Sequence, residues 1–382
     1  MPRPAATAST QDRILMLIGS GRARSRGDLA DALGSSPSTV SQHVQALIAR
    51  GLIEEGAARE SSGGRKPREL RLVDGDEHMG VIDLGGRHAR LGVVRRGGEI
   101  VATREMPVDL REGAVTVINA VGAGVAHLLA EQGVDGRLIG VGIALPGPVD
   151  VRRRAVESPS RMPGWQGHDI GELLEAAAGV PAVVENDANA MALGEHFDRS
   201  ARVSHSVTVK AGTAIGAGVV VDGQVYRGAG GVAGDITHTR VGAAGDTPCS
   251  CGNRGCLETV ASGAALVGLL AERGYQVQTT ADVLALVRDA DPVATTMART
   301  AGRHLGEVLC AVVNFFNPGA VYLGGALSTL EPFVSAIRSQ IYEGAHPMMT
   351  RELVIEPSQL GADANLVGIA RILDETLFEL NT

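Results

Sequence analysis

The sequence predicts a small helical head joined to an α/β body of two similar lobes. Three observations predict it. Residues 1–75 read as three short helices and a hairpin, and they carry a net charge of +3 where the remainder carries −11. From Asp76 onward, glycine-punctuated strands alternate with helices, and the alternation occurs twice. A histidine and three cysteines gather between His238 and Cys256, inside the second repeat.

The bulk numbers bound the answer. A chain of 382 residues has room for two or three domains. The hydrophobic fraction is 44% and the aromatic fraction 3%, so the cores must be built from Val, Leu, Ile and Ala. No run reaches the roughly 18 apolar residues that span a bilayer. The N-terminal MPRPAATASTQDR lacks the apolar segment of a signal peptide. A cytoplasmic protein without a membrane partner is therefore expected. A basic head on an acidic body points to an anionic partner for the head alone.

In the head, the first helix is expected over Gln11–Ile18 and the second near Arg26–Leu33. Gly34 supplies a turn, Ser36 suits an N-cap and Pro37 the first helical position. The third helix then runs to about Arg50, before Gly51. Val40, Val44, Leu47 and Ile48 form its apolar stripe. Its other face carries Ser38, Thr39, Ser41, Gln42 and Gln45, short or amide side chains able to reach base edges; Gln suits a bidentate contact to adenine. A hairpin follows, with Arg59, Arg65, Lys66 and Arg68 around its glycine-rich tip, suited to phosphates or a minor groove. This ordering resembles the winged helix of MarR-like and ROK regulators.

In the body, GVIDLGGRHARLGVVRRGGEIVATREMPV reads as an antiparallel meander, followed by a helix over Ala114–Gln132 and the strand LIGVGIALP. The strand VPAVVEND precedes a helix starting at Ala188. Strands return over Val203–Val225, helices occupy about 281–316, and AVYLGG is expected as the last strand. The implied division is a DNA-binding domain over 1–75, a first lobe over 76–194 with a C-terminal helix over 365–382, and a second lobe over 195–364.

His238, Cys249, Cys251 and Cys256 supply one imidazole and three thiolates, enough for tetrahedral zinc. Four protein ligands leave no open position, so the zinc is expected to be structural. Cys310, in the apolar LCAVVNFF, reads as a buried small hydrophobe.

The segment CSCGNRGCLE, preceded by a histidine, resembles the signature of the ROK family of repressors and sugar kinases. DLGG (83–86), LPGPVD (145–150), ENDANAMALGE (185–195), KAGTAIGAG (210–218), GAGGVAGDITH (228–238) and NPGAVYLGG (317–325) follow in family order. The resemblance implies an actin/hexokinase-like pair of lobes around a cleft, and self-association as a dimer or tetramer. It implies Asp187 as the catalytic base of a sugar kinase, and Asn186, Asp187, Asp235, His238 and Glu258 as sugar contacts. A competing role for Asp187 is to cap the helix that follows it.

The departures from the kinase pattern are informative. Arg87 stands where the first phosphate loop has Thr, and Ala214 where the second has Gly. Asp235 and Thr237 replace Glu and Gly in the sugar motif, and Ser160 replaces an Asn. The implied protein is a regulator of carbohydrate metabolism that binds operator DNA and a sugar effector, with Asp187 a vestige of catalysis. The competing readings are an active kinase with a DNA-binding head, and a regulator without a small ligand. Arg87 admits either an anionic effector or a surface ion pair.

Overall fold

The computed structural model describes residues 10–19, 23–58, 68–73, 77–96, 98–132, 137–157, 162–199 and 203–380. The head comprises α1 (Thr10–Gly19), α2 (Arg26–Leu33) and α3 (Pro37–Ala49), then β1 (Ile53–Ala58) paired antiparallel with β2 (Arg68–Leu72). Its local chemistry sets these boundaries. Ser25 caps α2 by accepting from the Asp28 N–H, and α2 ends at Gly34 in the left-handed region, at φ 60°. Ser36 caps α3 by accepting from the Thr39 N–H, with Pro37 behind it. Ile14, Leu29, Val40, Val44, Leu47, Ile53 and Leu70 form a core belonging to the head.

The first lobe contains β3 (Glu77–Leu84), β4 (His88–Arg95), β5 (Ile100–Pro107), α4 (Ala114–Glu131), β6 (Arg137–Leu145), β7 (Val149–Asp150), β8 (Ala155–Val156), α5 (Ile170–Ala178) and β9 (Ala182–Asn186). α6 (Asp187–Arg199) leads out of it. The second lobe contains β10 (His205–Ala211), β11 (Ile215–Val221), β12 (Gln224–Val225), α7 (Glu258–Ala261), α8 (Gly263–Ala271), α9 (Thr280–Arg288), α10 (Pro292–Phe316), β13 (Ala320–Gly324), α11 (Glu331–Gly344), α12 (Pro347–Thr350) and β14 (Val354–Pro357). α13 (Ala364–Leu380) closes the chain.

The two main sheets share one design. The first has the order β5-β4-β3-β6-β9 and the second β12-β11-β10-β13-β14. In each, three antiparallel strands are followed by two parallel additions on the side of the first strand. The alternation read twice in the sequence is thus one topology built twice. AVYLGG is not the last strand: Val354–Pro357 adds beyond it, its Ile355 opposite Val321. That segment, LVIEP, is too short to announce itself by periodicity.

α4 has the length and apolarity to cross a membrane, against the expectation of no such run. In the fold it is a core helix: Val117, Ile118, Val121, Val125 and Leu128 are buried with Leu91, Val93 and Ile143 of the first sheet.

Two helices join the lobes. α13 buries Leu366, Ile369, Leu373 and Leu377 with Met79, Val81 and Val183 of the first sheet. α6 packs on β10 and β11 of the second and on α13. The helices touch through glycine: a Cβ at Gly194 would collide with the carbonyl oxygen of Ala364, and one at Gly368 with that of Ala190. Backbone cannot yield there as a side-chain tip would. Gly368→Ala is therefore expected to destabilise the protein by about 3 kcal/mol, read from denaturant unfolding; an unchanged midpoint would mean that the crossing is looser than described.

Candidate functional site

The first lobe passes into the second at the junction of β9 and α6, residues Glu185, Asn186 and Asp187. Asn186, not Asp187, caps α6: its Oδ1 accepts from the N–H groups of Ala188 at 2.9 Å and Asn189 at 3.1 Å. Its Nδ2 donates to the Gly147 carbonyl at 2.7 Å and to Asp187 Oδ1 at 3.4 Å. Both lone pairs and both amide protons are thus engaged. These bonds hold Asn186 against its neighbour and against the Gly147 loop. Asp187 is released from capping and stays half-buried.

The partner of Asp187 is a lysine that sequence reasoning passed over. Lys210, on β10, donates through Nζ to Asp187 Oδ2 at 2.7 Å. Burial works against its charge, but Asp187 and then Asp83 outweigh burial, so the ammonium is held above its ordinary 10.5. Asp83 is fixed in turn by the Asn365 amide, which donates to it at 2.6 Å. Lys210 and Asp83 hold matching places in the two lobes. Each is the penultimate residue of its lobe's first strand, just before a glycine turn. The two copies of the repeat therefore carry opposite charges toward one point. The signal was present as a lone Lys in the apolar run VTVKAG.

A second cation clasps the same junction. Arg227, following β12, forms a charge-assisted pair with Glu185, which is 1% exposed. Glu185 Oε1 also accepts from the Asn186 N–H and from Asn189 Nδ2.

The phosphate-loop departures have structural counterparts. Arg87 is exposed; Asp109, whose carboxyl is held down at about 2, owes this first to its hydrogen bonds with Arg111 and only last to the charge of Arg87. In the second loop, the carbonyls of Gly212 and Thr213 accept from the N–H groups of Gly263 and Ala264, the start of α8. Thr237 is buried, its hydroxyl donating to the Ile215 carbonyl, which accounts for a β-branched residue in the sugar motif. Asp235 is exposed on the same segment. Ser160 lies outside the described residues.

His238, Cys249, Cys251 and Cys256 come together, their ligand atoms all within 4.8 Å of one another. Cys249 Sγ lies 3.5 Å from His238 Nδ1, and Cys251 Sγ 3.7 Å from Cys256 Sγ. A tetrahedral zinc ion with Zn–S near 2.3 Å would separate two sulfurs by roughly 3.8 Å. The donor set fits a metal in charge as well. Burial pushes the Cys256 thiol up to about 12, whereas the Asn253 backbone N–H lowers Cys251. Three thiolates side by side need a dication. Glu258, 6% exposed, accepts from Cys249 Sγ at 3.8 Å and so stands at the edge of this cluster.

On the head, Ser38, Thr39, Gln42 and Gln45 are exposed and Ser41 is half-exposed. Ser38 and Thr39 share their hydroxyls with Ser36 at 2.8 and 2.9 Å. Arg68 pairs with Glu55 at 3.1 Å. Arg59, Arg65 and Lys66 lie outside the described residues.

Two outcomes are expected. A strong chelator should lower the melting temperature of the native protein, and Cys256→Ser should mimic it; superimposed melting curves would mean that no ion holds the cluster. Lys210→Met leaves two carboxylates facing one another and should cost roughly 2 kcal/mol at pH 7. Because the lysine is raised in the fold by ionised carboxylates, its contribution is full across neutral pH up to 10.5 and is lost as the pH rises from there through the raised folded value. A wild-type advantage that vanished between pH 6 and 9 would contradict this pairing.

The comparisons agree with this architecture. The ROK family pattern matches residues 79–376, and the MarR family pattern residues 9–65. The xylose repressor of Bacillus spizizenii is 29% identical over 360 residues, covering 93% of this chain and 92% of that one. A crystal structure of a ROK family transcriptional regulator, a homologue of the E. coli MLC protein, superimposes with a TM-score of 0.74 at 26% identity, over 96% of this chain and 98% of that one. A Streptomyces griseus ROK glucokinase, solved with glucose and AMPPNP, gives 0.69 at 28% identity; it covers 78% of this chain and 99% of its own. With head and body both accounted for, the chain belongs to the ROK family, in the form that carries a MarR-type winged helix before the hexokinase-like body.

Proposed function

We propose that this protein is a DNA-binding transcriptional repressor of carbohydrate metabolism whose cleft binds a sugar effector without phosphorylating it. The observation that carries this reading is the ion pair between Lys210 and Asp187. A catalytic base must be free to take the hydroxyl proton; here one carboxylate oxygen accepts from an ammonium and the other from Asn186. Asp83 and Lys210 also set opposite charges beside the two glycine turns where the resemblance would lay a nucleotide. Two sources support the regulatory side: relatives named as repressors, and the helical head itself.

In this reading α3 presents Ser38, Thr39, Ser41, Gln42 and Gln45 to the major groove, and Arg59, Arg65, Lys66 and Arg68 meet the phosphate backbone. A dimer places two heads on half-sites of operator DNA in the cytoplasm. The metal is structural zinc held by His238, Cys249, Cys251 and Cys256. With Nδ1 facing the cysteines, His238 keeps Nε2 for the effector, so the metal shapes the sugar site through its ligand. Asp187, Asp235 and Glu258 supply further acceptors for hydroxyls. Asp187 stands at the start of α6, and its cation comes from the second lobe. A sugar that takes hydrogen bonds from this pair binds the two lobe arrangements with different affinity, which is the requirement for regulation.

A second reading, an active sugar kinase with an accessory head, is favoured by the retained Asp187 and by the likeness to glucokinase. One pair of assays separates them. Calorimetry against a sugar panel is expected to find a ligand whose affinity falls at least tenfold in Asp187→Asn, while the wild type releases no ADP from ATP and that sugar. Sugar-dependent ADP release that disappears in Asp187→Asn would establish the kinase instead.

A further inference from the structure

A chain of polar contacts runs through the head from the reading helix to the hairpin. Arg26, the first residue of α2, donates through Nη2 to Gln45 Oε1 of α3 at 3.4 Å. Its Nη1 lies 2.7 Å from Glu55 Oε1 on β1, and Glu55 Oε2 accepts from Arg68 of β2 at 3.1 Å. Arg26 is held by the better-buried carboxylate: the Glu55 side chain is 19% exposed, against 35% for Arg26 itself.

This settles which way the Gln45 amide points. A guanidinium has only donors, so the atom turned toward Arg26 must be the oxygen. With that oxygen engaged by α2, the amino group is the part of the side chain left to meet a base edge. Reading adenine needs oxygen and amino group side by side at the base edge, because adenine offers one acceptor and one donor. Guanine offers two acceptors, N7 and O6. We propose that Arg26, anchored by Glu55, is a positioning residue that makes Gln45 a donor-only reader of a G·C pair. This rests on the reading of α3 as the base-contacting helix. It replaces the adenine contact that Gln45 suggests in isolation.

The test is selection of binding sites from randomised duplexes by the full-length protein, followed by affinities on single-pair variants. Gln45→Ala identifies the pair that Gln45 reads, as the one position whose preference collapses. At that pair the wild type is expected to favour G·C over A·T about tenfold. Arg26→Met should cut this to threefold or less with the other positions unchanged, and Arg26→Lys, which keeps a cationic donor nitrogen but not the fork, should restore part of it. Glu55→Gln should weaken the preference in the same direction without altering either helix, so the test survives if Arg26→Met folds poorly. An A·T preference at that pair, an Arg26→Met profile equal to wild type, or a Gln45→Ala profile equal to wild type would each overturn the inference while sequence-specific binding by the head still stood. A wild type that selects no sequence would instead overturn the reading on which the inference rests.

Discussion

The body depends on one crossing. α6 lies on the second sheet and α13 on the first, and the two meet backbone to backbone at Gly194 and Gly368. Because no side chain separates them there, neither helix can shift at the crossing without moving the other, and the close-packed side chains that seat α13 on the first sheet transmit the shift. What happens at the N-terminal end of α6 is therefore felt by both sheets. That end is Asn186–Asp187, and α13 begins beside Asn365, which holds Asp83. The polar cluster around Asp187 is thus built at the starts of the two helices that join the lobes.

This geometry explains how a fold shared with sugar kinases serves regulation. Glu185 and Asp187 belong to the first-lobe junction, and each is paired with a cation supplied by the second lobe, Arg227 and Lys210. Asn186 between them is committed to Gly147 and the helix cap. Interactions between ionised partners are among the stronger hydrogen bonds in a protein. In a kinase the equivalent carboxylate must change partners in every turnover. Here it has a resident one; in the proposed reading, ligand binding is a competition for Asp187 and needs no chemistry to alter the relation of the lobes.

Much of this was legible in the sequence, for identifiable reasons. Ser36-Pro37 and Gly34 fix the head helices because caps and turns act over a few residues. The cysteine spacing revealed a metal-sized cluster because all three thiols lie in one short loop. The doubled strand–helix alternation matched two sheets of one topology. Less legible were features that need distant residues. The capping role passed from Asp187 to Asn186 because the Gly147 carbonyl holds the amide from another loop. Lys210 opened the motif KAGTAIGAG without a role of its own; only the fold sets it beside Asp187, with Asp83 its counterpart in the other lobe. Strand Val354–Pro357 was missed because four residues carry little periodicity. Helix Ala114–Glu131 was read correctly as a helix, yet its membrane-like composition reflects burial against the first lobe's sheet.

The central claim is that a sugar in the cleft changes the grip of the head on DNA. Fluorescence anisotropy tests it most directly, using purified protein on duplex DNA from upstream of its own gene, across a salt series, with and without a panel of sugars, sugar acids and sugar phosphates. The account predicts tight, salt-dependent binding that one compound alters by at least tenfold, with Asp187→Asn binding the DNA but ignoring the compound. Absence of binding to any such DNA, or binding that no sugar changes, would contradict it.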